Sequence, residues 1–193
     1  MADAEAEQTK AGLRRAIRRQ RRAFANSIGI RARVFAIVIA RLALEEAGKA
    51  RCIASYLGVD SEVDGLPALE LAWAAGRETA LPHLTSPTGP MRFLAWHPGD
   101  KLVMGPLGIA QPLSKARELA PDAIFAPLVG FDREGGRLGQ GGGFYDRAFE
   151  AYPHARRIGL AWSMQELKKV PIDIWDKPLH AVITERERIT CPR

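Results

Sequence analysis

The stretch IFAPLVGFDREGGRLGQGGGFYDRAFEAY, residues 124–152, decides how the chain folds. Its first part, residues 124–131, is an almost unbroken apolar run of strand length, which is typical of a strand covered on both faces of an α/β sheet. A loop with six glycines begins at Asp132, and an amphipathic segment follows it at once. This order of strand, loop and helix predicts an anion site, because glycines expose backbone N–H groups and the helix adds the positive end of its dipole.

Two common phosphate-binding fingerprints do not match this loop. A Walker loop starting at Gly136 requires Lys and then Ser or Thr where the chain has Gly142 and Gly143. A dinucleotide fingerprint starting at Gly139 fails at Phe144, where it requires glycine. A flexible surface turn stays open as the alternative, although an arginine among the glycines favours a phosphate site.

The residues of the loop nevertheless form a specific pattern. The string GFD at residues 130–132, followed by GRLGQGGGFYD at residues 136–146, resembles the signature of the 5-formyltetrahydrofolate cyclo-ligase family. The resemblance implies an ATP phosphate site formed by Arg137, Leu138, Gly139, Gln140, Gly141, Gly142, Gly143, Phe144, Tyr145 and Asp146. It also implies that Asp146 helps to bind Mg²⁺, that Arg137 and Tyr145 act in catalysis, and that Phe144 and Tyr145 also contact the folate.

We expect Gly142 to have a special place among these glycines. A positive φ and the close approach of a phosphate to its backbone would both exclude a β-branched side chain there. The sequence therefore predicts that Gly142→Val loses ATP affinity.

The N-terminal segment carries much of the positive charge. Residues 1–22 hold seven basic and three acidic side chains, in a chain with a formal net charge of +6. Four basic residues follow one flank of a predicted amphipathic helix: Lys10, Arg14, Arg18 and Arg21. A solvated basic face or an arginine-rich nucleic-acid contact would explain such a flank. The string KAGLR at residues 10–14 is similar to the Lys-x-x-Leu-Arg pattern of the cyclo-ligases, which implies that Lys10 and Arg14 bind ATP.

The folate side of the site is predicted after the first strand. The loop GVDSEVD at residues 58–64 crowds three carboxylates where α/β sheets bind ligands, although such residues also simply solubilise turns. By resemblance, Leu57 and Glu62 contact the folate, and a carboxylate suits the paired N–H groups of a pterin. The string GIAQP at residues 108–112 resembles a family turn that lines the same pocket. Trp96 is either a core residue or a stacking partner for the pterin.

A second metal position is implied near the C-terminus. The string VPIDIWD at residues 170–176 resembles a family segment that ends in an acidic residue, and Asp176 matches that position. His180 stands where a further aspartate is common in the family. The four histidines show no zinc-binding spacing, so a structural zinc site is not predicted.

The remaining pattern predicts the fold class. Strands and helices alternate along the chain, with strands predicted at residues 52–57, 79–81, 91–97, 157–162 and 181–184, and helices at residues 30–47 and 67–75. This alternation predicts a three-layer α/β/α domain with a largely parallel central sheet. With 193 residues, 47% of them hydrophobic, the chain is expected to form a single domain over residues 1–193.

Composition also bears on the cellular compartment. No apolar run approaches the roughly 20 residues of a membrane span, and the acidic start of the chain lacks the order of a signal peptide. Cys52 and Cys191 have no metal or redox spacing. We therefore expect a cytoplasmic protein without membrane or nucleic-acid partners, as a monomer or weak homodimer.

The function that these observations and the resemblance predict is ATP- and Mg²⁺-dependent. The enzyme would convert 5-formyltetrahydrofolate to 5,10-methenyltetrahydrofolate through a phosphorylated formyl group, releasing ADP and phosphate. The alternative is a basic RNA-binding α/β module, in which the N-terminal helix contacts RNA and the glycine-rich loop is only a turn.

Overall fold

The computed structural model describes residues 9–192. Residues 1–8, on which part of the argument against a signal peptide depends, lie outside the described residues. Throughout the part of the chain that is described, no helix is long and apolar enough to cross a membrane.

A mixed sheet forms the centre of the molecule. Among residues 9–192 it contains seven strands, which are β1 (Cys52–Ala54), β2 (Glu78–His83), β3 (Arg92–Ala95), β6 (Ala123–Pro127), β9 (Arg156–Leu160), β10 (Ala181–Ile183) and β11 (Arg188–Thr190). Their spatial order is β11-β10-β9-β6-β1-β2-β3. The five inner strands run parallel, whereas β3 and β11 at the two edges are antiparallel to their neighbours. The expected largely parallel sheet is confirmed.

The strand order creates a crevice beside two central strands. After β1 the chain moves outward to β2, and it then returns to place β6 on the other side of β1. The position between β1 and β6 is therefore the switch point of the sheet, where connections from neighbouring strands lead in opposite directions. Such connections leave a crevice outside the carboxyl ends of the two strands. The loops after β1 and β6 therefore meet at one edge of the sheet.

Four α-helices cover the sheet within the described range. They are α1 (Lys10–Ile28), α2 (Arg31–Ala47), α3 (Leu66–Ala74) and α4 (Phe144–Ala151). The Oγ1 of Thr9 caps α1 by accepting the N–H of Gly12 at 3.1 Å. A glycine with positive φ follows α1 at Gly29 and α2 at Gly48, where a side chain would strain the backbone.

Two apolar layers show that the sheet is buried on both faces. Ile53 and Phe125 point into the layer that contains α2 and α3. Ala54 and Ile124, one position along each strand, point into the layer that contains Phe149 of α4. Alternation of neighbouring residues between the two layers is the period of a strand, and it confirms the predicted three-layer α/β/α architecture.

The long apolar run that opens the central motif is not one strand, contrary to the prediction. The chain leaves the sheet after Pro127, because the side-chain amide of Gln165 donates to the carbonyls of Leu128 and Val129, at 2.8 and 3.0 Å. The rest of the run forms β7 (Gly130–Phe131), which pairs with β8 (Arg137–Leu138) in a small hairpin.

Other boundaries also differ from the sequence predictions. The first strand is shorter than residues 52–57, because it ends at Ala54. The stretch 108–112 contains β5 (Ala110–Pro112), which pairs with β4 (Leu102–Met104) in a second hairpin that the sequence did not predict. The edge strand β11 was also missed.

Candidate active site

A cavity of about 570 Å³ lies at the carboxyl ends of β1 and β6. Its walls come from α1, from the loop after β1, from the segment between β8 and α4, and from residues 173–176. Every residue assigned to the site from the sequence lines it: Lys10, Arg14, Leu57, Glu62, Arg137, Leu138, Gly139, Gln140, Gly141, Gly142, Gly143, Phe144, Tyr145, Asp146 and Asp176. The fold thus brings these four separate parts of the chain to one cavity.

Arg137 lies in the floor of this cavity. Its guanidinium is nearly buried and donates from Nη2 to both carboxylate oxygens of Asp146, each at 2.9 Å. The Cζ atom also lies 5.7 and 5.6 Å from the ring centres of Tyr145 and Phe149. The buried Nε atom has no hydrogen-bond partner within residues 9–192. Because arginine stays charged in proteins, a guanidinium in the lining of a cavity favours an anionic ligand.

Two glycines leave room for basic side chains. A Cβ atom on Gly139 would lie 2.7 Å from Nη1 of Arg137, so any larger residue would displace the guanidinium. Gly141 has a φ of 105°, which residues with a side chain rarely adopt, and it lies against the guanidinium of Arg14. The glycines therefore allow the loop to approach the cations closely.

Gly142 differs from the expectation. It does not have a positive φ, so the predicted backbone strain at this position is wrong. A Cβ atom there would instead meet the ring of Phe144 at 2.7 Å. The positive φ angles of this segment belong to Gly141 and to Gly143, the N-cap residue that precedes α4.

The N-terminal helix provides a second set of cations. Arg14 donates from Nε to the carbonyl of Gly139 at 2.8 Å, which ties α1 to the loop. Lys10 donates from Nζ to Asp173 at 2.7 Å and to Asp176 at 2.5 Å. Burial alone would raise the pKa of the Asp176 carboxyl, but the bond from Lys10 and nearby positive charge lower it overall. A hydrogen-bonded clamp therefore joins the start of α1 to the segment at residues 173–176.

Glu62 lies on the part of the wall that comes from the loop after β1. Its Oε1 atom accepts the side-chain amide of Gln140 at 2.7 Å, and its Oε2 atom accepts the N–H of Val59 at 3.1 Å. Gln140 also accepts a hydrogen bond from Arg18 through its side-chain oxygen. A polar connection therefore links the expected nucleotide side of the cavity to the expected folate side.

Tyr145 stands between these two sides. Burial, followed by the negative charge of Glu62, raises the pKa of its phenol, and Arg137 opposes the change. The phenol therefore stays protonated at neutral pH, and it is able to donate a hydrogen bond to a ligand but not to act as a base.

Some lining residues were not assigned from the sequence. They include Arg21, Tyr56, Asp173 and Trp175. Arg21 was placed on the polar flank of α1, yet its exposed fraction is only 2%. The burial of Arg21 was predictable from its helical spacing. Arg21 follows the core residue Ile17 by four positions and therefore lies on the same face of the helix.

Three uncertain positions are also settled by their surroundings. Trp96 packs in the layer of α2 and α3 and does not line the cavity, so its core interpretation holds. His180 accepts the N–H of Arg157 through Nδ1 at 2.9 Å, away from the cavity lining. Of the stretch 108–112, the segment 109–111 lines the wall.

The site offers limited ligands for a metal. No cluster of three or more His, Cys, Asp or Glu residues suited to a metal occurs in the described part of the chain. Asp146 and Asp176 both face the cavity, each bound to a cation. Mg²⁺ typically binds through one or two carboxylates together with substrate phosphates and water, so this pair fits a magnesium ion that arrives with a phosphate ligand.

Comparison with known proteins agrees with the geometry. The chain matches the 5-formyltetrahydrofolate cyclo-ligase family over residues 6–185. The 5-formyltetrahydrofolate cyclo-ligase of Escherichia coli (strain K12) is 40% identical over 142 residues, which cover 70% of this chain and 78% of that protein. The Haemophilus influenzae protein of the same name is 33% identical over 149 residues, which cover 74% of this chain and 80% of that protein.

A solved structure shares the fold. The 5,10-methenyltetrahydrofolate synthetase of Aquifex aeolicus aligns with a TM-score of 0.77 and 31% identity, covering 94% of this chain and 92% of that one. The family match over residues 6–185 includes every segment that lines the cavity. The chain therefore belongs to the 5-formyltetrahydrofolate cyclo-ligase family of enzymes.

Proposed function

We propose that this enzyme uses ATP and Mg²⁺ to convert 5-formyltetrahydrofolate to 5,10-methenyltetrahydrofolate, with release of ADP and phosphate. The observation that carries the proposal is one cavity whose lining contains Lys10, Arg14 and Arg137 together with Glu62. Cations on one wall suit phosphates, and a carboxylate on the other suits the N–H groups of a pterin.

The reaction needs activation of the formyl carbon. We propose that the formyl oxygen attacks the γ-phosphorus of ATP, and that the bond from this phosphorus to the β,γ-bridging oxygen breaks to release ADP. The second folate nitrogen then attacks the activated carbon, loses its proton and closes the ring as inorganic phosphate leaves. Phosphoryl transfer of this kind depends mainly on positioning and on neutralising charge.

The residues around the cavity suit these requirements. Lys10, Arg14 and Arg137 would neutralise the phosphates, and residues 138–143 would bring backbone N–H groups close to them. Leu57 and Glu62 would contact the folate. Phe144 and Tyr145, at the start of α4, would lie between the two substrates, where the Tyr145 phenol can donate a hydrogen bond. Arg137 and Tyr145 are the residues that we assign to catalysis.

Asp146 and Asp176 would hold the Mg²⁺ ion. When bound with ATP, the ion neutralises charge on the phosphate oxygens. Arg137 and Lys10, which contact these aspartates in the structure, are also the cations proposed for the phosphates. Binding of a metal nucleotide would thus exchange each ion pair for contacts with the ligand.

Cysteine chemistry does not contribute in this proposal. Burial raises the pKa of the Cys52 thiol to about 12 and that of Cys191 to about 11, and both cysteines are free. Such thiols are unreactive at neutral pH. Two reduced, inert cysteines are consistent with a cytoplasmic enzyme, which we propose acts through a single domain as a monomer or weak homodimer.

The test is a coupled measurement of both products. Purified protein is mixed with 5-formyltetrahydrofolate, ATP and magnesium, and the conjugated methenyl product is followed by absorbance while phosphate is measured separately. We expect equal amounts of the two products, and we expect both to disappear when ATP or magnesium is omitted. Phosphate release without methenyl product would contradict the proposal, because it would show idle hydrolysis.

The RNA-binding alternative has less support. Lys10, Arg14 and Arg21 face the cavity and already contact carboxylates or carbonyls of this chain. RNA binding would weaken steeply with added salt, with a log–log slope of about −0.7 for each phosphate contacted on a single strand. A filter-binding titration over a range of salt concentrations separates this behaviour from turnover that depends on ATP and magnesium.

A further inference from the structure

A buried arginine lies behind the folate side of the cavity. Arg21, on α1, has an exposed fraction of 2%, although its charge is permanent. An arginine in such a place needs anionic or polar partners, because an unpaired buried charge costs several kcal/mol. The partners of Arg21 therefore indicate what the residue does.

Those partners belong to the loop after β1 and to the end of β6. Arg21 donates from Nε to the hydroxyl of Ser61 at 3.0 Å and from Nη1 to the carbonyl of Leu128 at 3.4 Å. The Nη1 atom also lies 3.6 Å from Oε1 of Glu62, and Nη2 lies 3.9 Å from Asp60. One side chain thus joins the helix, the acidic loop and the central strand at the switch point of the sheet.

The loop itself is held in an unusual conformation. Asp60 has a φ of 58°, which is uncommon for a residue with a side chain, and Arg22 binds its carboxylate at 2.8 Å. The indole of Trp162 donates to the carbonyl of Ser61 at 2.9 Å. Contacts from α1 and from the segment after β9 therefore fix the loop on both sides of Ser61.

The two side-chain partners of Glu62 differ in accessibility. Gln140 is exposed on the glycine-rich segment, so a ligand is able to displace its bond to Oε1. Arg21 also lines the cavity, but its exposed fraction is only 2%, and its Nη1 atom lies 3.6 Å from the same oxygen. After displacement of Gln140, the carboxylate of Glu62 would still be held from behind and would present free lone pairs to the cavity.

We propose that Arg21 is a positioning residue of the folate subsite, which holds the carboxylate of Glu62 so that it faces the bound pterin. The inference rests on the proposed function, since it takes Glu62 as the group that accepts N–H donors of the folate. Arg21 acts through Glu62 in this arrangement, and the nucleotide side of the cavity does not depend on it.

The experiment measures both Michaelis constants in the methenyl assay. Arg21→Met removes the charge and the fork while keeping an apolar side chain of similar length. We expect the KM for 5-formyltetrahydrofolate to rise by about tenfold or more, and the KM for ATP to stay within about twofold. Arg21→Lys, which keeps the charge, should restore part of the folate affinity. Arg19→Met, an exposed arginine of the same helix, is the matched control and should change neither constant.

A double variant distinguishes positioning from a separate role. If Arg21 acts through Glu62, Arg21→Met combined with Glu62→Gln should raise the folate KM no further than Glu62→Gln alone. Additive effects, or an equal rise in both Michaelis constants, would overturn the proposal. If Arg21→Met does not fold, the Arg21→Lys variant and its combination with Glu62→Gln give the same comparison. Absence of methenyl product from the wild-type enzyme would instead overturn the proposed function and this inference with it.

Discussion

Two aspartates at the two ends of the glycine-rich segment have opposite surroundings. The carboxylate of Asp132 is buried and accepts three backbone N–H groups, from Glu134 at 3.0 Å, Gly136 at 2.8 Å and Val170 at 2.8 Å. The carboxylate of Asp146 lines the cavity and accepts the guanidinium of Arg137. The hydrogen bonds of the Asp132 carboxylate come from backbone N–H groups. The Asp146 carboxylate is instead paired with the side chain of Arg137, which lines the cavity.

One motif therefore contains a residue held by the fold and a residue in the lining of the cavity. Asp132 closes the turn of the β7–β8 hairpin and fastens it to the segment at Val170, so it determines where Arg137 lies. Asp146 and Arg137 form an ion pair in the lining of the cavity, and we propose that a ligand displaces it. A change at Asp132 should therefore affect stability, and a change at Asp146 or Arg137 should affect ligand binding and turnover.

The largest expected effect comes from Arg137→Ala. Under the proposed function Arg137 contacts the transferred phosphate, so its loss should lower kcat/KM for ATP by about 100- to 1,000-fold, with the fold retained. Steady-state kinetics and a circular dichroism melt are the measurements. The matched control is Arg133→Ala, which removes an exposed arginine bound to Glu166 and Glu187 outside the cavity lining. If both variants lose activity equally, the cavity does not explain the effect.

The second effect tests the structural side of the comparison. Asp132→Asn should lower the free energy of unfolding by about 3 kcal/mol, because an amide cannot satisfy the same three N–H donors with a charged acceptor. The KM for ATP should stay near the wild-type value in the folded fraction. Urea denaturation measures the loss. Asp100→Asn, at an exposed turn where Asp100 caps the N–H of His97, should lose less than about 1 kcal/mol.

A smaller effect is expected for Asp146→Asn. The amide keeps the shape of the side chain but loses the charge that Mg²⁺ prefers, so about tenfold more magnesium should be needed for half-maximal turnover. Asp176→Asn should shift the requirement in the same direction by a smaller factor. A magnesium titration of the two variants checks this order. An unchanged curve for Asp146→Asn would leave the carboxylate with the role of holding Arg137 and the helix N-terminus.

The smallest effects separate two glycines of the same segment. A Cβ atom at Gly136 would lie 2.5 Å from the fixed carboxylate of Asp132, whereas at Gly139 it would lie 2.7 Å from the movable end of Arg137. We expect Gly136→Ala to lower the melting temperature while keeping the KM for ATP. Gly139→Ala should raise that KM several-fold with little change in melting temperature. The reverse result would contradict the assignment of a structural role to Gly136 and of a ligand-binding role to Gly139.

Much of the site was predictable because its residues are close together in the sequence. The ten residues from Arg137 to Asp146 all line the cavity, and Lys10 and Arg14 join them from one face of an amphipathic helix. Helical spacing and the backbone freedom of glycine are local properties, so they can be predicted from a short stretch of sequence. The same local reasoning wrongly extended the strand beyond Pro127, since the apolar run does not reveal that Gln165 takes the carbonyls of Leu128 and Val129.

Local patterns in the sequence established the fold class and the family of enzymes to which the chain belongs, and they predicted an anion site at the glycine-rich segment. Three other features depend on the folded chain: Arg21 is buried against the loop of Glu62, Asp132 is structural, and Lys10 binds Asp176. The first group follows from side-chain periodicity and from backbone chemistry within short segments. The second group depends on the order of the parallel strands, which brings distant loops to one edge of the sheet. This order cannot be predicted from a short stretch of sequence.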